Sequence, residues 1–338
     1  MRILGIETSC DETGLALVEA NGGLRTPRFR LVKNLVASQT KIHAPFGGVV
    51  PHLAKREHGK NLPILWKKIK NYKINVIAVT VGPGLEPCLW EGINFARDLA
   101  EKYKRPMVTV NHMEGHIASV LLDGQSRINF PAIALLVSGG HTELVLLKNW
   151  LNYKIVGETL DDAVGEAFDK VARLLGLPHP GGPALAKLAD AYKGSTFIKL
   201  PRPMMHSKDL NFSFSGLKTA VLYALRDNPK LNKGALAKEF QNAAIDVLMA
   251  KTLKTFQEYR PKTLIIAGGV AANKHLQKEL KKKLKGGKIK ILFPQKDFTG
   301  DNAAMIAAAG YFKAVEGKFA KPANLKASGR LSLDHKSR

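Results

Sequence analysis

Cysteine is almost missing from this chain. Cys10 and Cys88 are the only two in 338 residues, too few for a disulfide scaffold and suited to a reducing cytosol. Long apolar runs are missing too. No stretch approaches the roughly 20 uninterrupted apolar residues of a membrane helix, which excludes a spanning segment of that kind. At the N-terminus only Ile3-Leu4-Gly5-Ile6 precede Glu7, shorter than the core of a secretory signal, so a cytoplasmic protein is expected. Acidic residues are scarce, with 28 Asp+Glu against 52 Lys+Arg and a net charge of +24. Such an excess points to a polyanionic partner, nucleic acid above all, although a basic proteome would give the same number. The densest run, Lys278, Lys281, Lys282, Lys283, Lys285, Lys288 and Lys290, carries Leu280 and Leu284 at helical spacing and reads as a solvated helix face.

What is present is ordinary for a globular protein: a 45% hydrophobic share, 30 glycines and 17 prolines, with length enough for two domains. The pattern reads as one α/β architecture used twice. Strand Ile3–Glu7, a polar turn and strand Leu15–Val18 make one hairpin; Ala132–Val137, Ser138-Gly139-Gly140-His141 and Leu144–Leu147 make another. Each half then has an apolar strand that stops at glycines and enters a helix. These are Ile77–Val81 before Gly82-Pro83-Gly84, and Leu264–Ala267 before Gly268-Gly269. Strand, tight turn and helix N-terminus form an arrangement suited to phosphate. Helices are predicted over 90–103, 163–175, 234–259 and 301–315. The expected layout is an N-terminal lobe over 1–127 and a C-terminal lobe over 128–316 with an insertion at about 181–229. A short basic tail, weakly patterned and partly mobile, follows over 317–338, and a nucleotide-type ligand is expected in the cleft between the lobes.

The sharpest local signal is His112-Met113-Glu114-Gly115-His116. Positions i and i+4 share a helix face, so both imidazoles can reach one metal. The spacing differs from the zinc-peptidase H-E-x-x-H motif, because Glu114 stands two residues from each histidine, about 200° away on a helix at roughly 100° per residue. A third ligand is required. Asp301, in Thr299-Gly300-Asp301-Asn302 before an apolar helix, is either that ligand or a helix N-cap. Two histidines and a carboxylate suit Fe(II) or Zn²⁺. Asp161, Asp162, Glu166 and Asp169 form an acidic cluster, Pro180-Gly181-Gly182-Pro183 a rigid loop, and Phe212-Ser213-Phe214-Ser215 an alternation read as core in preference to base stacking.

Together these motifs resemble the universal tRNA threonylcarbamoyladenosine transferase family, once mislabelled a glycoprotein endopeptidase. The matching stretches run from Gly5–Thr13 through Gly47–Pro51, Gly82–Leu85, Asn111–His116, Val137–Glu143, Gly165–Lys170, Pro180–Pro183, Phe212–Ala220 and Gly268–Asn273 to Thr299–Ala304. The resemblance implies an actin-like, sugar-kinase-like ATPase fold. It implies transfer of a threonylcarbamoyl group from its adenylate to the exocyclic amine of the adenosine beside the anticodon in tRNA. It implies His112, His116 and Asp301 as ligands of one divalent metal, Fe(II) favoured and zinc possible. It implies Val137, Ser138, Gly139, Gly140, His141, Asp169, Gly182 and Asn273 as contacts to the adenylate. The bacterial-type stretches further imply a shorter paralogue without the metal histidines and a small P-loop ATPase as protein partners, with no membrane. Archaeal and eukaryotic members work with a protein kinase instead, and here Glu86-Pro87-Cys88, Trp90-Glu91 and His52 depart from the bacterial pattern. The competing readings are a small-molecule kinase or a non-catalytic ATP-binding partner of the same fold, and a metallopeptidase, which the placing of Glu114 disfavours.

Overall fold

The computed structural model describes residues 1–195 and 197–334. Thr196, inside the expected insertion, and 335–338, the end of the expected tail, lie outside the described residues. The chain forms two compact units. The first comprises Met1–Ile128, Asn149–Tyr153 and Leu292–Arg338; the second comprises Asn129–Lys148 and Lys154–Ile291.

The first unit opens with β1 (Arg2–Glu7), β2 (Glu12–Asn21) and β3 (Arg28–Ser38). These pair antiparallel in sequence, Glu7 opposite Gly14 and Thr13 opposite Ala37. A short α1 (Thr40–His43) and α2 (Pro51–Lys67) lead to β4 (Val76–Gly82), α3 (Glu86–Tyr103), β5 (Met107–Asn111) and α4 (His112–Ala118). The sheet order is β3-β2-β1-β4-β5, with β1, β4 and β5 parallel. β1 and β4 are buried almost throughout, as continuous apolar strands with parallel neighbours must be. β3 lies at the edge and carries Arg28, Arg30, Lys33 and Asn34, the polar composition that protects a free edge.

The second unit repeats this order. β6 (Ala132–Val137), β7 (Thr142–Asn149) and β8 (Asn152–Glu158) are followed by α5 (Val164–Leu174), α6 (Gly181–Ala191), α7 (Ser215–Asp227), α8 (Lys233–Tyr259), β9 (Thr263–Ala267), α9 (Lys274–Lys283) and β10 (Lys290–Leu292). The sheet runs β10-β9-β6-β7-β8, with β6 and β9 parallel. The hairpin followed by parallel strands therefore occurs twice, as the glycine-ended runs predict. Lys278, Lys281, Lys282 and Lys283 of the lysine run lie on α9, where only Leu276 and Leu280 are buried; Lys285 and Lys288 follow the helix and Lys290 opens β10.

One assignment is corrected. The last helix, α10 (Ala303–Val315), was expected in the C-terminal lobe but belongs to the first unit. It packs on β1, β2, β4, β5 and α4. Eleven of its thirteen residues are buried, the condition of a helix that is apolar on every side. Gly5 permits the contact, since a Cβ there would stand 2.0 Å from the Ala303 carbonyl oxygen. The short Asn149–Tyr153 excursion joins the same core, with Trp150 stacked on Phe312 at 3.7 Å.

Candidate functional site

α4 begins directly after β5 and is fixed at its start by a capping box. The Asn111 side chain accepts from Met113 N at 2.8 Å, and Glu114 Oε2 accepts from Asn111 N at 3.1 Å. Glu114 also pairs with Lys313 at 2.8 Å. The carboxylate is thereby turned into the helix's own start and away from the histidines, in line with the spacing argument. Asn-x-x-Glu before an apolar run is the sequence signal of such a cap.

His112 and His116 then present one face, with ring centroids 4.7 Å apart. Asn302 caps α10 by accepting from Met305 N at 3.1 Å. This leaves Asp301, the alternative cap, facing the histidines. Its Oδ1 lies 3.2 Å from His112 Nε2 and 3.3 Å from His116 Nε2. One ligand atom from each of the three residues falls within 4.8 Å of the others. His116 is fully buried, yet apart from the ion-pair contact of Nε2 with Asp301 neither ring nitrogen has a hydrogen-bond partner among the described residues. A buried imidazole in that state is incomplete, and two histidines with a carboxylate fit a divalent ion of the borderline class. These three residues can hold a metal.

The surroundings adjust the ligands. Glu7, fully buried at the end of β1, receives His112 Nδ1 at 3.1 Å and the Thr80 hydroxyl at 2.6 Å on Oε2, and Ser9 N on Oε1. Ser9 Oγ lies 3.2 Å from the same imidazole nitrogen. Burial alone would lower the His112 pKa, but Asp301 and Glu7 outweigh it and hold it well above the usual range. Burial likewise raises Asp301 and Glu7, and His112 reverses both. In the adjoining turn, burial and the charges of Asp301 and Asp11 push the Glu12 carboxyl up to about 9. Burial, then Asp11, push the Cys10 thiol well above its usual range, so Cys10 is no ready nucleophile. Glu7 was not singled out from sequence, because a strand-end carboxylate gives no hint of a partner 105 positions away.

The first glycine turn does not present the open amides expected of a phosphate site. Gly84 N donates to the Gly329 carbonyl at 3.2 Å and Leu85 N to the Ser9 carbonyl at 2.8 Å. The segment expected as a weakly patterned tail is what occupies it.

In the second unit the glycine-rich elements stay open. Among the described residues, none beyond the chain neighbours comes within 4 Å of where a side chain would start at Gly139, Gly140 or Gly269. The Ser138–His141 turn is closed by Ser138 N donating to His141 O at 2.9 Å and His141 N to Ser138 Oγ at 3.1 Å, while Val137 is buried beneath it. Asp169 and Gly182 are brought together, with Gly182 N donating to Asp169 Oδ1 at 2.9 Å. Asn273 caps α9 through Oδ1 and donates to Gln241 at 2.9 Å, so its side chain already has a structural task. The acidic cluster divides. Lys170 pairs with Asp162 at 2.7 Å and Glu166 at 2.9 Å, whereas Asp161 accepts from Ser213, Phe214 and Ser215 and anchors the start of α7. Phe212 and Phe214 are fully buried and belong to the core.

Comparison with known proteins bears on the family and the fold. The family model described as tRNA N6-adenosine threonylcarbamoyltransferase matches residues 30–308. Curated proteins of that name are 46% identical in Thermosipho africanus (92% of this chain, 94% of the relative) and 43% in Persephonella marina (99% and 96%). A third, from Francisella tularensis, is 45% identical (94% and 95%). Among solved structures, the HypF protein of T. kodakarensis superposes with a TM-score of 0.57 at 14% identity, covering 94% of this chain and 48% of that one. Component A of the Acidaminococcus fermentans (R)-2-hydroxyglutaryl-CoA dehydratase gives 0.53 at 12% identity, covering 94% and 99%. At such identities the likeness concerns the fold alone, and it bears out the actin-like, sugar-kinase-like ATPase architecture. The chain belongs to the tRNA N6-adenosine threonylcarbamoyltransferase family.

Proposed function

We propose that this acyltransferase binds one divalent metal through His112, His116 and Asp301, Fe(II) in preference to zinc, and uses it in moving a threonylcarbamoyl group from threonylcarbamoyl-AMP to tRNA. The observation that carries the metal reading is the buried His116, whose ring nitrogens have no hydrogen-bond partner among the described residues and whose Nε2 meets only the Asp301 carboxylate, beside His112. When bound, such an ion supplies Lewis-acid charge stabilisation and a template for orientation. The adenosine amine nitrogen forms a bond to the carbamoyl carbon, the bond from that carbon to the phosphate oxygen breaks, AMP leaves with the electron pair, and the amine loses one proton. AMP is a good leaving group, so positioning and charge stabilisation are the protein's main tasks and no protein nucleophile is required.

The chain's own residues divide these tasks. Glu7 accepts from His112 Nδ1 and so keeps the lone pair on Nε2, the nitrogen facing Asp301. Open backbone at Gly139, Gly140 and Gly269 lets a phosphate approach closely, and Val137, Ser138, His141 and Asn273 frame the same adenylate. Asp169, fixed to Gly182, orients the donor's hydroxyl groups. The +24 charge supports tRNA as the partner through phosphate contacts. The bacterial-type motifs support a shorter paralogue and a small P-loop ATPase as companions in the cytoplasm. Among the described residues no helix is long and apolar enough to cross a membrane.

The test is His116→Ala, followed by metal analysis and by transfer of labelled threonylcarbamoyl from the preformed adenylate to tRNA. We expect metal and transfer lost together in a folded protein. A metal-free variant with full transfer would overturn the reading.

A further inference from the structure

The segment after α10 begins beside the start of β5, where Ala320 N donates to the Met107 carbonyl at 2.8 Å, and ends beside Asn111 at the close of that strand. Four hydrogen bonds fasten its end. Ser328 N donates to Val81 O at 2.9 Å, Gly84 N to Gly329 O at 3.2 Å, Gly329 N to Glu86 Oε1 at 3.1 Å, and Asn111 Nδ2 to Leu331 O at 3.0 Å. Leu325 and Leu333 are buried, and Leu331 packs against the core of the unit. Gly82 is shaped for this contact: its φ is +152°, and a Cβ there would meet Ser328 O at 2.1 Å.

Asn111 joins this segment to α4. Its Oδ1 accepts from Met113 N and starts the helix, while its Nδ2 donates to Leu331 O. An amide has one donor end and one acceptor end. The Leu331 carbonyl therefore selects the rotamer in which the acceptor end caps the helix. His112 is the next residue and His116 one turn further on. We propose that residues 328–331 form a strap that acts through Asn111 to position α4, and with it the two histidines. It is a positioning element, remote in sequence and without contact to the reacting atoms. Its bearing on metal affinity rests on the metal reading given above.

The test compares four proteins: the full chain, a chain ending at Ala327, Asn111→Ser in the full chain, and Asn111→Ser in the shortened chain. Serine caps a helix about as well as asparagine but cannot reach Leu331 as a donor. Zn²⁺ affinity of the metal-free proteins is measured by competition with a chelator. Amide exchange is followed in α4, with α8 of the other unit as the reference for intact folding. Each single change should weaken Zn²⁺ binding about tenfold, the lower end for groups that orient ligands. The combination should be no weaker than either, because both remove the same interaction. Exchange in α4 should quicken while α8 is unmoved. If the shortened chain does not fold, Leu331→Ala with Leu333→Ala in the full chain carries the same expectation. Unchanged α4 exchange, or losses that simply add, would overturn the strap. Faster α4 exchange with Zn²⁺ affinity equal in the full chain and in His116→Ala would uphold the strap and overturn the metal reading instead.

Discussion

Replacing Glu7 by Gln keeps the volume of a buried side chain and changes the character of one atom pair. In the native protein three donors converge on the carboxylate: His112 Nδ1, the Thr80 hydroxyl and Ser9 N. Glutamine offers one acceptor oxygen and an amide that donates. If the amide faces His112, it donates to Nδ1 and favours the tautomer with its proton on Nε2, the nitrogen directed at Asp301 Oδ1 3.2 Å away. A metal must displace that proton before it can bind. If the amide faces Ser9 instead, a buried N–H loses its acceptor, at about 1–3 kcal/mol. The lower-energy choice is the first, and removal of a group that orients a ligand histidine costs about 10–100-fold in affinity, or about 1.4–2.8 kcal/mol at 1.4 per decade. The pH dependence has a definite sign. Binding requires neutral His112, whose pKa in the metal-free protein is held up by Asp301 and Glu7 against the effect of burial. Affinity therefore climbs as pH rises through that pKa. The variant retains one of the two carboxylates and releases the proton at lower pH, so its deficit is widest in alkaline solution and narrows in acid. Chelator competition across pH measures the affinity, and imidazole nitrogen NMR identifies the tautomer. A Zn²⁺ affinity within twofold of native at alkaline pH, with the Nδ1–H tautomer retained, would refute the argument.

Three further outcomes follow from other parts of the molecule. Asp169→Asn should lose most of its transfer rate with metal content and thermal midpoint little changed, since it holds Gly182 N; rate and metal measured on one preparation decide, and near-native transfer would remove Asp169 from the donor site. Glu143 has a buried oxygen with no hydrogen-bond partner among the described residues, and burial, then Glu158, raise its pKa from 4.5 to about 7. The folded state thus holds this proton more tightly than the unfolded state, so stability falls as pH rises from about 4.5 through 7. Glu143→Gln should remove that loss, gaining up to about 3 kcal/mol above pH 7 at 1.36 per unit and nothing at pH 4; urea midpoints at the two pH values test it, and an equal difference at both would contradict it. The logarithm of tRNA affinity should fall against that of salt with a slope of about −0.9 per neutralised duplex phosphate; a flat response between low and moderate salt would leave the +24 charge without a part in binding.

Much of this arrangement was legible in the residues, and the reason is local. The two hairpins declare themselves because apolar runs of matched length flank short polar turns, and the histidine pair because i and i+4 share a helix face whatever lies around it. Where the sequence misled, the deciding contact was distant. A helix as apolar as α10 announces that it is buried but not against which sheet; only the absence of a Cβ at Gly5 says so, some 300 positions earlier. Asp301 and Asn302 are adjacent, and either could cap α10; the division of labour between them is settled by what faces each. The glycine turn at Gly82–Gly84 resembles its counterpart at Gly268–Gly269 in sequence. It differs in being covered by Ser328 and Gly329, whose own composition carries no helical or strand period. β3 is not legible as a strand because its polar residues blur the alternation, and its pairing with β2 shifts register between Leu17 and Val18.

The discontinuity of the first unit has a consequence for synthesis. At about 5–20 residues per second, the ribosome delivers Met1–Ile128 well before Leu292–Arg338. Through that interval β1, β2 and β4 lack the helix that covers them, His112 and His116 lack Asp301, and Asn111 lacks the carbonyl of Leu331. The second unit, by contrast, is complete once Ile291 has emerged. The unit begun last is therefore finished first. A nascent chain arrested near residue 290 should bind chaperones through the bare face of the first sheet, and no metal centre should form until Asp301 has emerged.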